Sequence, residues 1–230
     1  MTTITTPYPT TRHPAAKVIL LPAQPPQRIV CFGDSTTAPR ANVTTYCEQL
    51  SSPHIETINR GIPGDTTTTA RIRFDKDVLA ANPQTVIIQF GINDSTIDVW
   101  KSPPQTTPRV SLTAFTQNLT HFIETLHQRQ VRVILMTFNP ILWTDRLRQL
   151  YGHPPYNPND PTGFDTPRTS YLEAIRHLAQ THRCDLIDIH REFQKHNPAA
   201  LLPDGMHPNT RGHQLTANLI RNLLTTNAHQ

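Results

Sequence analysis

The stretch Arg28-Ile29-Val30-Cys31-Phe32-Gly33-Asp34-Ser35 decides the fold of this chain. A short apolar run stops at a glycine followed by two small polar residues. Such a run, bounded by turn residues, reads as a strand buried on both faces. The pattern recurs downstream. Residues 55–59 run into Gly61-Ile62-Pro63-Gly64-Asp65-Thr66, and 85–90 run into Gly91-Ile92-Asn93-Asp94. Residues 131–138 and 185–189 supply two more strands. Helical spacing fills the intervals at 42–50, 66–81 (with Asp65 as N-cap), 111–129, 166–181 (Thr166 as N-cap, Pro167 at N1) and 211–224, the last capped by Asn209 or Thr210. Strands alternating with helices predict an α/β fold, a parallel sheet with helices on both faces.

In such sheets ligands bind beyond the carboxyl ends of the strands. Ser35, Gly64 and Asn93 follow the first three strands and therefore share one rim. A fourth block, Asp204-Gly205-Met206-His207-Pro208, opens the last helix and can reach it. The chain has only 8 glycines, and Gly33, Gly61, Gly64, Gly91 and Gly205 all lie in these blocks. That concentration points to tight turns or close backbone approach there.

The four blocks supply the parts of an acyl-transfer site. Ser35 is the expected nucleophile, weak until a base takes its proton. His207 is the expected base, with Asp204 three residues earlier to hold its tautomer. The Ser35 amide, the Gly64 amide and the Asn93 side chain are the expected donors to a developing oxyanion. Each block alone also reads as an ordinary turn or cap, and Asp94 reads as a cap. The order of the four carries the argument. No G-x-S-x-G elbow, P-loop or G-x-G-x-x-G is present.

With Ser35, Gly64, Asn93 and His207 in that order and Asp204 in a D-x-x-H-P setting, the chain resembles the SGNH (GDSL-type) hydrolases from residue 28 to about 225. Thr36 departs from the name-giving motif, which has leucine there. The resemblance implies a flavodoxin-like three-layer α/β/α sandwich and hydrolysis of esters or thioesters through an acyl-serine, without metal or other cofactor.

Two long segments follow strands three and four. Residues 98–109 hold three prolines; 139–165 hold five, with Trp143, Tyr151, Tyr156 and Phe164. Loops of this length in compact domains are usually functional or disordered, and the aromatic content predicts an ordered cover over the rim. Relatives with a similar aromatic loop look like carbohydrate acetylesterases, so Trp143, Tyr151 and Tyr156 are candidate sugar platforms, with Asp34 and Met206 as further substrate contacts. A carbohydrate or other small acyl ester is the expected substrate. A lipid esterase or arylesterase, an acyltransferase on the same site, and a non-catalytic carbohydrate-binding domain are the alternatives.

Composition bounds the rest. A chain of 230 residues is one domain by default, here 28–230 behind a Pro/Thr-rich arm at 1–27 that carries six prolines and an expected short strand at 17–21. Hydrophobic residues make up 36 %, and no apolar run approaches the ~20 residues of a membrane span. Lys and Arg number 21 against 17 Asp and Glu, with no basic cluster, so neither nucleic acid nor membrane is the expected partner. Cys31, Cys47 and Cys184 are too few and too odd for a disulfide framework and read as free thiols. Residues 1–11 lack the charged start and apolar stretch of a secretion signal, which predicts a cytoplasmic location. Asp75 and Asp77 read as a solvated helix face. His121 and His127, six apart on a helix, do not make a metal face.

Overall fold

A computed structural model describes residues 25–226. Its centre is one five-stranded sheet, with β1 (Gln27–Gly33), β2 (Ile55–Gly61), β3 (Thr85–Gln89), β4 (Arg132–Met136) and β5 (Asp185–Ile187) in the order β2-β1-β3-β4-β5. Every pairing is parallel. The order reverses direction at β1, between β2 and β3, and that switch point is where a doubly wound sheet opens a crevice. The expectations for the arm and for a strand at 17–21 lie outside the described residues, apart from 25–27.

Strand alternation sorts the core into two layers. Val30 and Phe32 of β1, Val86 and Ile88 of β3, and Val133 and Leu135 of β4 face one side. There they meet Ala70 and Phe74 of α2 (Thr67–Asp77), Phe115, Leu119 and Phe122 of α3 (Leu112–Gln128), and Tyr171 and Ile175 of α5 (Thr169–Thr181). Ile29, Cys31, Ile87, Ile134 and Met136 face the other side. They pack on α1 (Tyr46–Leu50), α6 (Ile189–Gln194), α7 (Pro198–Leu201) and α8 (Thr210–Thr226). Each buried Val, Ile or Phe contributes about 1.5–3 kcal/mol, so both faces of the sheet are held by the same force. Cys31 and Cys47 are buried free thiols, and Cys184 is half-buried.

Several expected boundaries are corrected. The helix expected at 42–50 is only α1, because Asn42 takes φ +60° and Thr45 forms a capping box with Glu48. The N-cap of α2 is Thr66, not Asp65: Thr66 accepts from the Thr69 amide, while the Asp65 carboxylate pairs with Arg73 at 2.6 Å. That helix ends at Asp77 and gives way to a 3-10 turn at Leu79–Ala81. The helix expected from Thr166 opens as a 3-10 turn over Thr166–Arg168 before α5. At the start of α8, Asn209 Oδ1 accepts from the Gly212 amide at 3.0 Å. Residues 139–165 are not all loop; they contain α4 (Asp145–Tyr151), capped by Thr144. α6 and α7 appear where no helix was expected.

Candidate functional site

Ser35 stands two residues beyond the end of β1 and is half-buried. His207 Nε2 lies 3.0 Å from Ser35 Oγ, across 172 residues of chain. On the other side of the ring, His207 Nδ1 lies 2.8 Å from Asp204 Oδ2. The Asp204 Oδ1 accepts from the backbone amides of Met206 at 3.0 Å and His207 at 2.7 Å. Partial burial pushes the Asp204 carboxyl up, but those two amides and the imidazole outweigh it, and its pKa falls below the ordinary value. An ionised Asp204 can only accept, so Nδ1 carries the ring proton and Nε2 presents its lone pair to the serine hydroxyl. Ser35 Oγ–H then donates to Nε2, the arrangement that lets an imidazole take the proton as oxygen attacks.

Two loops hold the Asp204–His207 turn in register with β1. Asn139, buried just beyond β4, donates to the Met206 carbonyl at 2.8 Å, and the Leu142 amide donates to the Gly205 carbonyl at 2.8 Å. From the Ser35 side, Arg40 donates to the Pro208 carbonyl at 2.7 Å. Neither Asn139 nor Arg40 stands out in the sequence. The only trace of Asn139 is its place in an Asn-Pro pair that ends a strand.

The second and third blocks meet beside them. Ile62-Pro63-Gly64-Asp65 forms a turn closed by Asp65 N–H to Ile62 O at 3.2 Å, with Gly64 at φ +78°. Proline then glycine at its two central positions is the type II pattern, which needs a positive φ at the second. Asn93 is 8 % exposed; its Nδ2 donates to Asp65 O at 3.0 Å, and its Oδ1 accepts from Arg109 at 3.2 Å. One Nδ2 hydrogen is therefore engaged, and the second is left to donate elsewhere. Arg109 is a further residue that sequence reasoning missed.

The expected substrate contacts divide. Tyr151 and Met206 line a cleft of about 230 Å³ together with Arg146, Leu147, Leu150, Asp204 and His207. Trp143 lies outside it, in a second cleft with Arg148 and Pro158, and its indole donates to Asp160 O at 2.9 Å. Tyr156 and Asp34 are corrected: neither has surface to offer. Tyr156 is 2 % exposed, its ring stacks on Phe164 with centroids 4.6 Å apart, and its hydroxyl accepts from the Ile97 amide. Asp34 is 1 % exposed and turns inward, accepting from the Thr36 amide and hydroxyl at 2.8 and 2.9 Å. Burial pushes its pKa up to about 7 against those bonds. A groove of about 740 Å³ along α3, between Arg71 and Glu124, contains none of the site residues.

Among the described residues no three His, Cys, Asp or Glu side chains are grouped to hold a metal ion, and no helix is long and apolar enough to cross a membrane.

Residues 31–215 match the model of the GDSL-like lipase/acylhydrolase family. The chain is 30 % identical over 178 residues to the uncharacterized lipoprotein YqeF of Bacillus subtilis, covering 72 % of this chain and 71 % of that one. It is 27 % identical over 170 residues to an acetylxylan esterase of Geobacillus stearothermophilus, covering 71 % and 69 %. The fold superposes on a lipase/acylhydrolase from Enterococcus faecalis with a TM-score of 0.64 at 22 % identity, covering 87 % and 96 %.

Proposed function

The chain belongs to the GDSL-like lipase/acylhydrolase family and is an ester-bond hydrolase, and from that premise we propose that it works through an acyl-Ser35 intermediate on small acyl esters of carbohydrates. The observation that carries this reading is the unbroken chain from Ser35 Oγ through the His207 ring to Asp204 at 3.0 and 2.8 Å.

In the proposed cycle Ser35 Oγ attacks the ester carbonyl while its proton passes to His207 Nε2. The imidazolium is stabilised by Asp204. Negative charge gathers on the carbonyl oxygen and is received by the Ser35 and Gly64 amides and the free Nδ2–H of Asn93. As the tetrahedral species collapses, His207 returns the proton to the leaving alkoxide, and the alcohol departs. Water then attacks the acyl-serine with His207 again as base, releasing the carboxylic acid and restoring Ser35.

The leaving alcohol must depart on the histidine side, where His207 protonates it. The 230 Å³ cleft lies on that side. Its apolar residues Leu147, Leu150, Tyr151 and Met206 suit the C–H face of a sugar ring, and Arg146 suits its hydroxyls. The similarity to an acetylxylan esterase supports acetyl as the acyl group.

The test is hydrolysis of p-nitrophenyl acetate, p-nitrophenyl octanoate and an acetylated xylo-oligosaccharide by wild type and Ser35→Ala. The reading expects turnover of both acetyl substrates, little of octanoate, and none in the variant. Preference for octanoate would move the assignment to lipid esters; full activity in Ser35→Ala would remove the nucleophile.

A further inference from the structure

The third block ends in a loop that doubles back on itself. The Arg109 amide donates to Thr96 O and the Val110 amide to Asp94 O, both at 3.0 Å. These bonds bring residue 109 beside residue 93 although sixteen positions separate them. The Arg109 side chain is then locked by Asp98, whose Oδ1 and Oδ2 accept from it at 2.7 and 3.1 Å. Asp98 is 2 % exposed and also pairs with Lys101 at 2.8 Å. One carboxylate thus faces two cations, and the local charge stays positive. The remaining guanidinium nitrogen donates to Asn93 Oδ1 at 3.2 Å.

We propose that Arg109 is a positioning residue for ester hydrolysis: it fixes the Asn93 amide in the one orientation that presents Nδ2–H to the oxyanion, and it polarises that donor. This rests on the reading of Asn93 as an oxyanion donor.

The argument is one of donors and acceptors. A guanidinium can only donate, so the Asn93 atom facing it must be oxygen. The Asp65 carbonyl can only accept, so the atom facing it must be nitrogen. The two partners agree, and a flipped amide would oppose donor to donor on one side and acceptor to acceptor on the other. The cation also draws electron density toward Oδ1, which strengthens Nδ2–H as a donor. Preorganised donors cost no rearrangement when the charge develops. Arg109 need not touch the substrate to do this.

The experiment is a double-mutant cycle on p-nitrophenyl acetate with Arg109→Gln, Asn93→Ala and the double variant, Arg109→Lys alongside, and thermal unfolding of each. Arg109→Gln is expected to lower kcat about tenfold with KM within about twofold, because only a transition-state interaction is weakened. Arg109→Lys, which keeps the charge but not the planar fork, should fall between. In the Asn93→Ala background, Arg109→Gln should cost nothing further. A further tenfold loss there, or a change in KM alone, would overturn the proposal. If Arg109→Gln fails to fold, Asp98→Asn takes its place, since it loosens the arginine without removing it; the same loss only with Asn93 present is then required. An Asn93→Ala enzyme with undiminished kcat would overturn it as well, by removing the donor, whereas a Ser35→Ala enzyme that stays active would show that the serine reading itself had failed.

Discussion

Asp94 caps a helix that begins 27 residues earlier: its Oδ1 accepts from both the backbone amide of Thr67 at 2.8 Å and the Thr67 hydroxyl at 2.6 Å. The residue beside Asn93 thereby holds the first turn of α2, the helix that follows Gly64. Two proposed oxyanion donors on different loops share one mechanical link. Asp94→Ala should lose both bonds and about 1–2 kcal/mol of stability, read as a shift of the urea unfolding midpoint. Its kcat should fall as well, because the Gly64 turn loses its tie to Asn93. Asp94→Asn keeps an oxygen acceptor and should retain most of both. Equal losses in the two variants would mean that the charge, not the cap, matters.

Asn93→Ala should lower kcat by about 10²–10³-fold while KM moves less, as expected when a donor acts mainly in the transition state. Steady-state kinetics on p-nitrophenyl acetate decides it. An unchanged kcat would take Asn93 out of the oxyanion site.

Asp34 makes stability depend on pH in an unusual direction. Burial holds its folded pKa at about 7, against about 3.9 in an unfolded chain. Between those values the native state keeps a proton that the unfolded chain has released, so the Asp34 contribution falls as pH rises from about 4 to about 7. Asp94, raised to about 6 for the same reason, adds to that slope. His213 opposes it: burial and Arg40 lower its pKa to about 4, so its contribution is lost as pH falls below about 6.5. Asp34→Asn should therefore gain stability relative to wild type as pH rises from 5 to 8, by roughly 3 kcal/mol. Urea melts across that range give the number, and a constant offset between the two proteins would show that Asp34 does not titrate there.

The guanidinium of Arg168 is wholly buried, 4.7 Å from the centre of the Phe138 ring and 5.7 Å from that of Phe164. It donates to Ser95 Oγ at 2.8 Å and Ile92 O at 3.3 Å, and Asp165 lies 3.5 Å away. Arg168→Met should destabilise the protein by about 3–5 kcal/mol, since it removes the cation beside the Asp165 carboxylate, leaving that group to the Ile141 amide and the His190 ring, together with the donors to Ser95 and Ile92. Adding Asp165→Asn should recover part of that loss. Denaturant unfolding of the single and double variants measures both.

The sheet and its rim were legible because most of the strands, β2 apart, are short apolar runs that stop at a glycine or a small polar residue. Ser35, Gly64 and Asn93 could be named because each follows such a stop, and His207 because it stands three residues after Asp204. Helix ends were less so. Asp65 and Thr66 are both good caps by type, and the choice fell to Thr66 because Arg73 claims the Asp65 carboxylate, a partner eight positions away. α6 and α7, of six and four residues, are too short to show a period. The aromatic loop was read too generously as surface. Tyr156 and Phe164 stack on each other and join the core instead. The supports of the site, Arg40, Arg109 and, beyond its Asn-Pro pair, Asn139, left no local mark, because what each contacts is set by the folded chain and not by its neighbours in sequence.

Asp204 and His207 sit in one turn, and the carboxylate grips the backbone amide of the very residue whose ring it orients. The pair therefore moves as a single rigid piece. A drift of that loop against the sheet leaves the acid–base couple intact and changes one separation, that between His207 Nε2 and Ser35 Oγ. In the proposed cycle, proton transfer then depends on that one gap, and Arg40 and Asn139 set it through their bonds to the Pro208 and Met206 carbonyls on either side of His207.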